Sequence, residues 1–187
     1  MTVRDAWKFL SETPLSAPKA TLALRLMAGG VFFWEGVLKL VYTNQGVGRF
    51  TKLGMPLPEL LANAIALLEI GGGLLLMAGL FTRFICVPFI LEMIVAILAT
   101  KVSLYFGTSP LPMPPAPPRL GPWAVLHEIR SDYAQIMTSI FLLAAGPGPW
   151  SLDAWLARRK GAGARSTPQL PAADHLAVAR LSATRAE

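Results

Sequence analysis

Four long apolar runs, each interrupted by a few ionisable residues, set the pattern of this chain. They fall at about 20–42, 58–80, 82–106 and 124–145. About 20 apolar residues in a helix rising 1.5 Å per residue cross a hydrocarbon core of about 30 Å. The pattern therefore predicts an all-α, integral membrane four-helix bundle running up-down-up-down. A short arm, 1–19, precedes it, and a basic tail, 157–187, follows the transmembrane domain at 20–156. The arm mixes Arg4, Lys8 and Lys19 with Trp7, Phe9 and Leu10, which suits a short interfacial helix. It lacks an apolar core followed by small residues, so no cleavable signal peptide is expected. The tail is rich in Ala, Arg, Ser and Pro and is expected to be flexible.

The polar positions inside the runs carry the chemistry. In the first span, Arg25, Glu35 and Lys39 share one face, and Glu35 and Lys39 stand four apart in the favourable order for a helical ion pair. The second span holds Glu69 at its centre with Gly71, Gly72 and Gly73 directly behind it. A charge at that depth costs about 2.5–3.5 kcal/mol on insertion scales, so Glu69 should face a protein interior. The glycines should let a neighbouring helix approach closely. The third span has Pro88, expected to kink it, and Glu92, too deep to reach the interface. Lys101 lies nine residues on, on the opposite helix face, and is expected to snorkel. In the fourth span His127, Glu128, Ser131, Asp132, Gln135, Thr138 and Ser139 occupy a sector of about 140°. Such a stripe cannot face lipid.

The connections differ in kind. Residues 43–58 form a turn-rich loop whose Phe50, Leu53 and Met55 should fold back toward the membrane surface, and Pro56 and Pro58 should open the second span. The link from Gly79 to Arg83 is so short that the second and third helices must be antiparallel neighbours. Residues 107–122 contain seven prolines and should form a stiff, extended outer loop. Pro147 stops the fourth span, and Trp150 and Trp155 fit an interfacial belt.

Composition agrees with a membrane protein. Hydrophobic residues make up 53% of the 187 and charged ones 15%, against about 25% in soluble domains. Mean hydropathy is +0.50 and the pI about 9.9. The net charge of +6 follows the spans rather than a nucleic-acid surface, and no nucleic-acid partner is expected. Arg4, Lys8, Lys19, Arg83, Arg158, Arg159, Lys160 and Arg165 fall on the side of the termini, against Arg49, Lys52 and Arg119 on the other. By the positive-inside rule the termini are cytoplasmic.

The wording GVLKL at the end of the first span, LLEIGGGLLLMAGLFTR across the second and its turn, and GPGPWSLD after the fourth resembles the DoxX family of small four-helix bacterial membrane proteins. The resemblance covers roughly Leu22 to Leu156 and singles out Lys39, Glu69, Gly72, Gly73, Gly79, Arg83 and the Gly146–Asp153 segment. The Pro-rich loop and the basic tail depart from the compact pattern. The resemblance implies the bacterial inner membrane and an association with quinone-linked oxidoreductase complexes.

The residues themselves limit the chemistry. Histidine occurs only at 127 and 175 and cysteine only at 86, which leaves no bis-His haem, no thiolate cluster and no metal site within one chain. No redox cofactor is expected on this chain alone. Glu35, Lys39, Glu69, Glu92, Asp132 and Gln135 are the candidate buried polar site, for quinone or for protons. Other subunits of a membrane complex, docked on 107–122 or on the tail, are the expected partners besides lipid. A small-solute transporter or channel, and a scaffold without chemistry, are the alternatives. A third use of the charges is structural: acids and bases pairing only to fix helix registry.

Overall fold

The computed structural model describes residues 2–11, 14 and 17–165. The part of the tail beyond residue 165 lies outside the described residues. The chain divides into two compact units, 1–155 and 156–187, and the second is helical over its described residues.

Among the described residues every regular element is helical. They are α1 (Val3–Ser11), α2 (Thr21–Val41), α3 (Val47–Lys52), α4 (Pro58–Ala78), α5 (Thr82–Ala96), a π turn (Ile97–Lys101), α6 (Val102–Phe106), α7 (Gly121–Glu128), α8 (Arg130–Ala145) and α9 (Leu152–Arg165). Among the described residues three helical stretches are long and apolar enough to cross a membrane: Thr21–Val41, Pro58–Ala78 and Thr82–Phe106.

The run at 124–145 differs from the expectation of one uninterrupted helix. It is broken at Ile129 into α7 and a 16-residue α8. Its outer half is the polar one, and there Glu128 pairs with Lys101 at 3.7 Å while His127 and Ser131 are exposed. The third span also differs. It passes through Pro88 as continuous helix and departs from α geometry at Ile97–Lys101 instead. A π turn holds one residue more than an α turn, which sets back everything after it by about 100°. Lys101 is therefore brought about 80° from Glu92 rather than to the opposite face.

Close pairs fix the helix directions. Gly29 meets Gly73, and Gly36 meets Ala66 and Glu69, so α2 and α4 run antiparallel in contact along their length. A Cβ on Gly73 would lie 2.6 Å from the Gly29 carbonyl oxygen, so only glycine allows that approach. Arg83 reaches Ala144, and Lys101 reaches Glu128, so α5 and α8 form a second antiparallel pair. The short turn does make α4 and α5 neighbours, but each packs most extensively on its other partner. Phe32 of α2 stacks on Phe89 of α5 at 3.6 Å between ring centroids and ties the two pairs together. Gly72 faces the Phe89 ring, while Gly71 points into open space. Around the stack, Ala28, Leu76, Cys86 and Leu142 complete a buried apolar layer.

Burial is inverted relative to a water-soluble protein. Arg25, Glu69, Gln135 and Ser139 are inside, while Leu67, Leu74, Leu91, Val95 and Leu98 are outside. Apolar side chains outward and charges inward is the arrangement lipid demands. The loop at 43–58 does fold back: α3 packs against α4.

Candidate functional site

Two groups of polar side chains lie at opposite ends of the helices. One end carries the 42–57 loop and the 107–120 segment and is called the loop face below. The other carries the Gly79–Thr82 turn and residues 146–151 and is called the clasp face.

Toward the loop face, Lys39 of α2 donates a hydrogen bond of 2.7 Å to Glu69 Oε1 of α4. Glu35, one turn before Lys39, stands 4.0 Å from the same ammonium. Glu69 is 1% exposed. Gly36 makes the meeting feasible, because α2 approaches α4 closely there. Glu92 of α5 turns inward, and its carboxyl lies within hydrogen-bonding reach of that of Glu69. Oε2 of each acid is buried and faces no N–H or hydroxyl donor, so their contact is a hydrogen bond only when one carries a proton. Three helices thus bring one base and two acids together in the membrane interior.

Asp132 of α8 lies farther toward the loop face. Lys101, Arg49, Glu35 and Glu128 are the charges that act on it. Lys101 Nζ is 3.7 Å from Glu128 Oε2, so it pairs within the protein rather than snorkelling. Asp132 Oδ2 is buried and receives no hydrogen bond. Gln135 belongs to a different contact: its amide donates to the Ala28 carbonyl oxygen at 3.1 Å and ties α8 to α2.

The clasp face is built on backbone carbonyls. Arg25, 1% exposed, donates to the Trp150 carbonyl oxygen and packs on Gly79, which is left-handed at φ 69°. It therefore does not share in the Glu35–Lys39 seam. Asp153 accepts hydrogen bonds from the Phe81 and Thr82 amides at 3.0 and 3.1 Å, capping α5. Arg83 donates to the Phe9 and Ala144 carbonyl oxygens, at 2.6 and 2.8 Å, and stacks on the Phe9 ring. Thr21 donates to Pro147, and Ser151 caps α9 through the Ala154 amide. The 146–153 segment is thus a brace that binds three helix ends.

Of the candidate residues read from the sequence, Glu35, Lys39, Glu69 and Glu92 converge, Asp132 neighbours them and Gln135 does not. Lys101, Glu128 and Arg49 join the loop-face group, although the candidate site read from the sequence leaves them out. Only the π turn places Lys101 there, and a π turn leaves no plain mark in sequence. Gly29 and Gly36 had a readable signal, two small residues seven apart on one face of α2. Among the described residues no group of His, Cys, Asp and Glu is placed to hold a metal ion.

The family model for DoxX matches residues 20–102. An "Uncharacterized membrane protein Rv3486" of Mycobacterium tuberculosis is 37% identical over 155 residues, covering 79% of this chain and 88% of the relative. A "Putative oxidoreductase CatD" of Bacillus subtilis is 30% identical over 140 residues, covering 75% of this chain and 89% of the relative. No solved structure matches significantly. The matched stretch contains Lys39, Glu69 and Glu92 and the Gly79 turn, and on these grounds the chain is a membrane protein of the DoxX family.

Proposed function

We propose that this chain is a four-helix inner-membrane subunit, with cytoplasmic termini, that serves a quinone-linked oxidoreductase and carries no redox cofactor of its own. The observation that carries the reading is the Lys39–Glu69–Glu92 group, buried between three helices beside an aromatic stack. A group held that deep is costly, and such groups commonly mark substrate or proton sites. The name of the Bacillus subtilis relative points the same way.

The residues suit a quinone headgroup. Its carbonyl oxygens need donors, and Lys39 is one; its hydroxyl form needs acceptors, and the unpaired oxygens of Glu69, Glu92 and Asp132 are three. The Phe32–Phe89 pair offers an apolar surface next to them. A bound quinone supplies electron and proton carriage. The chain's own residues would orient the ring and exchange protons with it. Electrons would pass to and from a partner subunit, with 107–120 on the loop face as its docking segment.

The test is purification in mild detergent, with identification of the proteins and the extractable quinone that accompany the chain. The reading expects both a redox protein and quinone in excess over bulk lipid. It also expects Glu69→Gln to leave the complex assembled and slow its reduction of an added quinone analogue. A chain that emerges without quinone and without a redox protein overturns it. Full activity in an assembled Glu69→Gln complex would leave the scaffold reading in its place.

A further inference from the structure

The polar groups are distributed unevenly along the membrane normal. Toward the loop face lie Arg49, Lys101, Glu128 and Asp132; Lys39 follows on α2, with Glu35 one turn deeper, next to where Gly36 meets Glu69, and Glu92 faces them from α5. On α8 the polar stripe continues through Gln135, Thr138 and Ser139 and ends at Leu142. Beyond it lies the layer of Ala28, Leu76, Cys86, Phe89 and Leu142, all fully buried. Beyond that layer again sit Arg25 and Arg83, two buried guanidinium groups held by carbonyl oxygens. A dry layer backed by fixed cations is a barrier to protons and to other cations.

We propose that Glu69 and Glu92 form a proton-binding site that communicates with the loop face alone, through Asp132 and Glu35, and is shut toward the clasp face. Charge counting supports it. Glu69 meets Glu35 and Lys39 from α2 and Glu92 from α5, while Lys101, Arg49, Glu128 and the same Glu35 act on Asp132. Among the described residues the Lys39 ammonium is the one cation in direct contact, and it balances one carboxylate. One proton shared by Glu69 and Glu92 makes the trio neutral and turns their contact into a hydrogen bond. Glu69, almost wholly buried, keeps an oxygen with no other donor, as do Glu92 and Asp132. Glu35 acts both on Asp132 and on the pair, and unserved buried acceptors on its two sides are what a proton or water would occupy. The step is a transfer of one proton: it leaves water at the loop face, binds a carboxylate oxygen of Asp132, and passes to the Glu69–Glu92 pair, restoring the Asp132 carboxylate. No bond other than O–H forms or breaks.

The inference does not depend on quinone or on a partner, and its test uses neither. The full chain is reconstituted in vesicles of one orientation. Asp132→Cys and Glu35→Cys are expected to react with a membrane-impermeant thiol reagent added on the loop face. Leu76→Cys and Leu142→Cys, added-to from the clasp face, are expected not to react; the wild-type chain, with only the buried Cys86, sets the baseline. In infrared spectra the wild type should show a protonated-carboxyl band. Glu69→Gln and Glu92→Gln should each lose it, because Lys39 then balances the one acid left with a buried oxygen, Glu35 being more than half exposed. Labelling of Leu142→Cys or Leu76→Cys from the clasp face would make the protein a through-path and overturn the proposal. So would unreactive Asp132→Cys and Glu35→Cys in folded protein, or a carboxyl band that survives in both Gln variants. Retained helix content and melting temperature in each variant exclude misfolding as the cause. The oxidoreductase reading can fail while every one of these results stands.

Discussion

Lys39 and Glu69 meet across the α2–α4 contact at 2.7 Å, with the acid buried and the base nearly so. Removing one partner of such a pair leaves an uncompensated charge inside, at a cost of about 3–5 kcal/mol, while replacing both by apolar residues is often neutral. Lys39→Met should therefore lower the melting temperature in detergent sharply. Lys39→Met combined with Glu69→Leu should recover most of the loss. A double variant as unstable as the single one would show that Lys39 stabilises the fold by some other contact.

The glycines of α4 separate by face. Gly73 abuts the Gly29 carbonyl and Phe33 backbone, whereas Gly71 meets nothing. Gly73→Leu should force α2 away and cost about 1–3 kcal/mol or more, as overpacking does. Gly71→Leu should be close to neutral, because its side chain enters the apolar surroundings. Thermal melts of the two variants side by side check this; equal effects would mean that the α2–α4 contact is looser than the geometry implies.

The membrane class and the apolar runs were legible because lipid imposes a strong rule: a run of about 20 apolar residues has few other uses. The buried acids were legible for the same reason. Glu69 and Glu92 are too deep for their side chains to snorkel to the headgroups, so they had to turn inward and meet. What could not be read was phase and partner choice. No residue announces the π turn that brings Lys101 to Glu128; within it Thr100 is buried and its hydroxyl bonds the Ala96 carbonyl at 2.6 Å. Arg25 shares a helix face with Lys39, and periodicity alone grouped them; the 146–153 brace claims Arg25 because it returns the chain across that helix end. Gln135 was grouped with Asp132 by the same periodicity, yet the nearness of α2 at Ala28 gives it a carbonyl to serve instead.

Gly79 and Arg25 should show coupled effects. Gly79 holds a left-handed backbone, φ 69°, and the Arg25 guanidinium lies where its Cβ would be. Gly79→Ala should cost the about 1–2 kcal/mol of left-handed geometry plus the displacement of Arg25. In an Arg25→Ala background the backbone part should remain, together with the crowding against Ser151 Cβ, 2.5 Å from the added methyl. A double-mutant cycle in detergent melts measures the difference, and an additive result would remove the proposed packing of Arg25 on Gly79.

Phe81 is left-handed as well, at φ 52°, and has a side chain that gains nothing from that conformation. The Asp153 carboxylate, 3.0 Å from the Phe81 amide and 3.1 Å from the Thr82 amide, holds it there by accepting both hydrogen bonds at the start of α5. The same Asp153 donates its own amide to the Gly79 carbonyl at 2.9 Å, so the turn and the brace are fastened in both directions. Asp153→Ala removes both acceptors and should cost about 0.5–2 kcal/mol, the usual range for a lost helix cap. Asp153→Asn keeps one oxygen and sets an N–H₂ against the other amide, so it should rescue little. Because the backbone amide of residue 153 survives both changes, the loss should stay local. Hydrogen exchange followed by mass spectrometry should accelerate over 81–84 in both variants and stay unchanged around Glu69. Acceleration spread through α4 would mean that the brace supports the whole bundle rather than one helix end.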